Sequence, residues 1–174
     1  LRLLPLLAIS VLAHLVFAGG RVALTLYAIE LHASTFVVGL QVSLLSLLPM
    51  LLSVRLGRWM DSAGLLRPGK AALALLTTGA CLPALWPGIP TLCAASVLIG
   101  SGFMLLHMTV YNEVGHAVAA PQRVRAFTVL SLGFSTSTIV APVLAGVMID
   151  GIGHRLTFAV LPLFGLLAWA ILHS

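Results

Sequence analysis

The chain has 174 residues, of which 60% are hydrophobic and 7% charged, with a mean hydropathy of +1.16. A soluble domain carries about 25% charged residues, so a soluble enzyme, a disordered chain and a nucleic-acid module are excluded. The net charge of +5 rests on nine Lys and Arg, too few for a nucleic-acid face but informative about membrane topology.

A helix needs about 20 apolar residues to cross the hydrocarbon. Six stretches meet that need, predicted at roughly 4–28, 36–56, 71–88, 91–111, 125–148 and 156–173. The first is longer than the apolar core of a cleaved leader, about 7–15 residues, and is predicted as a retained helix. Leu1 in place of Met, and an apolar run reaching Ser174, suggest ends that are cut. Glu30 to Thr35 joins the first pair of helices and Gly57 to Lys70 the second. Pro87-Gly88-Ile89-Pro90 is a breaker-rich turn, Asn112 to Val124 the longest polar connection, and Asp150 to Arg155 the last. Cys81 and Cys93 fall in apolar stretches and are expected to be reduced core residues, with neither a disulfide framework nor a metal site.

Basic residues gather on the cytoplasmic side of membrane proteins. Arg2, Arg55, Arg58, Arg67, Lys70, Arg123 and Arg125 share one side if six helices alternate, and only Arg155 lies near the opposite loops. Both termini are therefore expected in the cytoplasm, in a multi-pass plasma-membrane protein of the bacterial inner-membrane kind.

The second connection contains Gly57, Asp61 and Gly64 in the spacing G-x-x-x-D-x-x-G. The same spacing returns at Gly146, Asp150 and Gly153, after the second helix of the next group of three. Three helices is an odd number, so the two copies lie on opposite sides of the membrane. That is the mark of an inverted-topology repeat; chance recurrence of common turn residues is the alternative. The expected fold is an all-α membrane protein, one bundle over 1–174 with repeats of about 1–88 and 89–174.

These residues resemble the major facilitator superfamily, whose hallmark between helices 2 and 3 reads G-x-x-x-D-(R/K)-x-G-(R/K)-(R/K). Gly57, Asp61 and Gly64 match it. Ser62, Leu65 and Leu66 replace its basic positions, and charge returns at Arg67 and Lys70. The resemblance implies a transporter of about twelve helices in two halves, of which this chain is the amino-terminal half. It implies a gating role for the motif loop, with Arg67 beside it, and a missing carboxy-terminal half or a second copy as partner. Helix 5 carries Pro142 and Gly146 of the family's G-P-x-x-G-G antiporter signature, but Ala141 and Ala145 stand where glycines would be.

Candidate binding residues lie in polar stripes. Ser10, His14, Arg21 and Thr25 return to nearly one face of helix 1, with His14 near the midplane and Arg21 roughly 10 Å further out. Charge inside a membrane normally faces a bundle interior or a watery cavity, where arginine can hold a carboxylate bidentately. The alternative is that Arg21 snorkels to outer headgroups or pairs with Glu30. Helix 4 carries Ser96, Gly100, His107 and Tyr111. The resemblance, in which helices 1 and 4 line the cavity, makes His14, Arg21, Thr25, His107 and Tyr111 the substrate-binding candidates. His14 and His107 are candidates for a proton relay, against the plainer role of fixed hydrogen-bond partners. Glu113 is expected to pair with Arg123, Arg125 or a loop arginine, and Asp61 to cap helix 3 or hold the gate. Ser131, Ser135, Thr138 and Pro142 on helix 5 are expected mainly to pack helices.

The leading function is that of a secondary transporter moving a small solute, the arginine tilting the substrate toward an anion. No cofactor is implied: a phosphate-binding glycine loop is missing, and so is a metal-ligand cluster. A non-transporting scaffold or gene remnant is one alternative. An intramembrane hydrolase is another, suggested by Gly133-Phe134-Ser135-Thr136-Ser137, though that segment lacks the last glycine of a nucleophile turn.

Overall fold

A computed structural model describes Leu3–His173, with the side chains of Leu48, Pro49, Leu52, Ser53, Met60, Asp61 and Ser62 outside the described set. The described residues form α1 (Leu3–Glu30), α2 (Thr35–Ala63), α3 (Leu66–Leu85), α4 (Ile89–Ala117) and α5 (Ala120–His173). Three of these, α1, α4 and α5, are long and apolar enough to cross a membrane, and α2 carries a shorter apolar run, Thr35–Leu47.

The 54 residues of α5 would extend about 80 Å if straight, far beyond a hydrocarbon core of about 30 Å. Gly153 breaks the helix with φ 78 and ψ 167. A β-carbon on Gly19 would lie 3.8 Å from the Ala145 Cβ and 3.5 Å from the Leu161 Cδ2. Residues on either side of Gly153 thus meet the same point of α1, and α5 is a hairpin of two arms, 120–152 and 154–173.

Close contacts fix the direction of each segment. Gly133 meets Leu7 and Val11 while Gly19 meets Ala141 and Ala145, so the first arm runs parallel to α1. Gly69 meets Leu172 and Gly165 meets Thr77, so α3 opposes the second arm. Gly79 meets Ile99 and Gly102 meets Leu76, so α3 and α4 are antiparallel. Gln41 bonds Ser96 and Leu45 touches Gly100, so α2 runs with α4. Six helical segments therefore alternate in direction along the described chain. The core that holds them includes Leu24, Leu73, Leu76, Leu92, Ile99, Leu130 and Phe158, all fully buried.

The connections are shorter than the sequence suggests. Gly57 and Asp61 lie within α2, which ends at Gly64 with φ 66, and Asn112 and Glu113 lie within α4, whose link to α5 is only Val118-Ala119. Polar residues end the apolar run without ending the helix, because its backbone bonds continue into the headgroup zone until a breaker stops them. Among the described residues the two positive-φ glycines are Gly64 and Gly153, the last glycines of the two motif copies. Leu65, not Asp61, occupies the N-cap position of α3; the Asp61 side chain lies outside the described residues. At the other end of α2, the Ser34 hydroxyl accepts from the Val37 N–H at 3.4 Å, as an N-cap serine does.

Candidate functional site

Helix α1 presents His14, fully within the bundle, and half-buried Phe17 toward α4 and the first arm of α5. Phe103 sits at the middle of α4, with His107 and Tyr111 one and two turns further along. The first arm contributes Phe134; the arm lies along α1, which it meets at Gly133, Ala141 and Ala145, and it buries Leu130 and Ser137.

These side chains form one continuous ring cluster. The centroids of Phe17 and Phe103 are 4.3 Å apart with planes at 15°. Phe134 stands edge-on to His14 at 5.2 Å and also meets His107 at 5.0 Å. His107 stacks on Tyr111 at 4.4 Å, which in turn stacks on Phe127 at 5.3 Å. Offset and edge-to-face arrangements of this kind add about 0.5–1.5 kcal/mol per pair beyond area burial. His14 is 9% exposed, and its Nδ1 is buried without a hydrogen-bond partner. A buried polar atom normally has one, and no group among the described residues supplies it here, as is also the case for Gln41 Oε1, Thr77 Oγ1, Ser101 Oγ and His154 Nε2.

Of the predicted binding residues, His14, His107 and Tyr111 come together in this cluster, and Arg21 and Thr25 do not join it. The Thr25 hydroxyl donates to the Arg21 carbonyl of its own helix at 2.9 Å. Arg21 is exposed and lies with Val22, Thr25, Leu26 and Val42 around a groove of about 270 Å³ between α1 and α2. Its suggested partner Glu30 is engaged elsewhere: it contacts the His154 imidazole, which stacks on Tyr27 at 5.1 Å. Glu30 is nine residues, about 13 Å, further along α1 than Arg21, at the corner where the second arm begins.

Glu113 forms no ion pair among the described residues. The Arg123 Nε donates to the Val118 carbonyl at 2.9 Å, covering an orphan acceptor at the end of α4. Gly57 and Gly64 have open space where a β-carbon would be, and Arg67 is exposed. On the first arm, Ser131, Ser135 and Thr138 are exposed. The buried stripe is the neighbouring one, Ser137, Ala141 and Ala145, and small residues are needed where Gly19 of α1 meets Ala141 and Ala145. Gly133 to Ser137 is unbroken helix, and the Ser137 hydroxyl donates to the Gly133 carbonyl at 2.8 Å, so no strained turn presents a nucleophile there.

Two residues of structural weight escape the stripe pattern. Gln41 is 1% exposed and its Nε2 donates to the Ser96 hydroxyl at 2.7 Å. Phe134 links both histidines, yet in sequence it is one more apolar residue in an apolar helix. The signal for Gln41 was present, as a lone amide between Leu40 and Val42 inside a span.

A sequence model of the Major Facilitator Superfamily matches residues 6–173. No curated protein matches the chain.

Proposed function

This chain belongs to the Major Facilitator Superfamily, and on that premise we propose that it is part of a secondary active transporter moving a small, anionic solute by alternating access. The family supports transport in general and, with the apolar helices, a membrane-embedded protein. One observation carries the finer reading. At mid-height, where α1, α4 and the first arm of α5 meet, two imidazoles converge on Phe134 and one keeps a buried nitrogen unpartnered. Binding sites of secondary transporters lie near that depth.

The helix directions support the inverted repeat. Exchanging α1 for α4, α2 for the first arm of α5, and α3 for its second arm carries the parallel pair of α1 and the first arm into the parallel pair of α4 and α2, and the antiparallel pair of α3 and α4 into that of the second arm and α1. On this reading the six segments are six spans. The ends bearing Arg55, Arg58, Arg67, Lys70, Arg123 and Arg125 face the cytoplasm, and so do both termini. A second six-helix half, or a second copy, completes the cavity. Arg21 supplies the preference for an anion.

Uptake and counterflow in proteoliposomes test the reading, with organic anions and cationic dyes offered with and without a pH gradient. Anion uptake by the full natural chain that is lost in Arg21→Ala supports it. Absence of uptake or exchange of every solute offered would leave a membrane bundle without transport.

A further inference from the structure

Resting on the transporter reading, we propose that the solute is an aromatic carboxylate, its ring received by Phe17, Phe103 and Phe134 and its carboxylate by Arg21. Phe17 and Phe103 form a parallel stack, and Phe134 stands at 87° to Phe103 with centroids 6.2 Å apart. All three rings are half-buried, so they keep part of their surface for a further partner. That partner gains most if it is flat, since ring faces and edges attract another ring's quadrupole and a saturated ring has none.

Arg21 lies four residues after Phe17, one turn on, about 6 Å along the axis and on a neighbouring face. Its guanidinium is exposed at the groove it shares with Leu26 and Val42. Among the described residues no carboxylate pairs with it, the acid on the same helix being held at His154. A cation between apolar walls without a counter-ion is costly, and a bidentate carboxylate relieves that cost. A molecule with a ring on the Phe17–Phe103 pair and an acid group about 6 Å away meets both requirements at once. The unpartnered His14 Nδ1 is available to a polar substituent on the ring.

The test is equilibrium binding to the full natural chain in nanodiscs, using 3-phenylpropionate, 3-cyclohexylpropionate and 3-phenylpropionamide as probes. The phenyl acid is expected to bind about tenfold more tightly than either analogue. Phe17→Leu is expected to abolish the phenyl-over-cyclohexyl preference while keeping acid over amide, and Arg21→Gln to do the reverse. Each variant reports through the preference it keeps, so a misfolded protein is not mistaken for support. Equal affinity for the phenyl and cyclohexyl acids, an unchanged acid-over-amide ratio in Arg21→Gln, or no binding of any acid would overturn the proposal. Uptake of other solutes would in that case leave the transporter reading intact. Selective binding of the phenyl acid with no uptake or exchange of any solute offered would support the site and remove the transporter reading.

Discussion

Gly100 of α4 lies directly against the backbone carbonyl of Leu45 in α2, closer than any β-carbon could approach. The contact is backbone to backbone, so no rotamer change can make room. Alanine at Gly100 is expected to push the two helices apart and cost about 3 kcal/mol, the upper part of the usual range for overpacking. Gly146, whose β-carbon would meet nothing within 4 Å, is the control. There alanine is expected to raise stability by about 0.5–1 kcal/mol through helix propensity. Thermal unfolding of both variants in the same detergent measures the contrast, and equal effects would contradict the packing drawn here.

Four residues before Gly100, Ser96 accepts from Gln41 across the same interface. Hydrogen bonds between membrane helices are worth about 0.6 kcal/mol on average and up to about 1.7. The Gln41 pair belongs near the upper value, because its Oε1 is already buried without a partner and losing Ser96 leaves the whole amide unsatisfied. A double-mutant cycle with Gln41→Leu and Ser96→Ala is expected to return a coupling of about 1–1.5 kcal/mol. Simple additivity would mean that the two side chains do not meet in the folded protein.

The end of α1 offers a stabilising substitution. The His32 N–H bonds the Ile29 carbonyl at 2.9 Å and the Ala33 N–H bonds Ala28 at 3.0 Å, the paired bonds of a Schellman terminus. That geometry puts His32 at φ 57, where a side chain costs about 1–2 kcal/mol. His32→Gly is expected to raise stability by about 1 kcal/mol after the greater entropy of glycine in the unfolded chain is subtracted. A lower melting temperature in this variant would show that the imidazole has a stabilising contact of its own.

Hydropathy alone makes the helical segments legible, because about 20 apolar residues in a row have few other uses. It locates helix ends poorly. Asn112 and Glu113 looked like loop residues, yet they continue α4 to Ala117, since polarity marks the edge of the hydrocarbon and not the end of the hydrogen-bonded ladder. The glycines were legible in a stronger sense: Gly64 and Gly153, matched by spacing alone, are the two positive-φ glycines among the described residues. Helical periodicity also put His14 and Arg21 on one stripe, but it could not separate their surroundings. His14 meets the rings of α4 and the first arm of α5, whereas Arg21, two turns on, borders α2, with which α1 makes few contacts. That division depends on where neighbouring helices converge, information held in residues such as Gly100 and Gly133 far away in the chain.

His14 tests whether the ring cluster is a binding site or only a core. Among the described residues the His14 Nδ1 has no hydrogen-bond partner, and on the transporter reading that nitrogen is kept for the solute. Burying an unsatisfied polar group costs about 1–3 kcal/mol, while the ring's apolar contacts with Phe17, Phe103 and Phe134 can be kept in large part by a leucine. His14→Leu is therefore expected to melt no lower than the natural chain, and about 1 kcal/mol higher if the cavity it leaves is small. Uptake in proteoliposomes is expected to fall by tenfold or more in the same variant. Stability gained with transport lost is what removal of a binding group produces. A variant that loses both together would make His14 a packing residue, and one that keeps full uptake would take it out of the site.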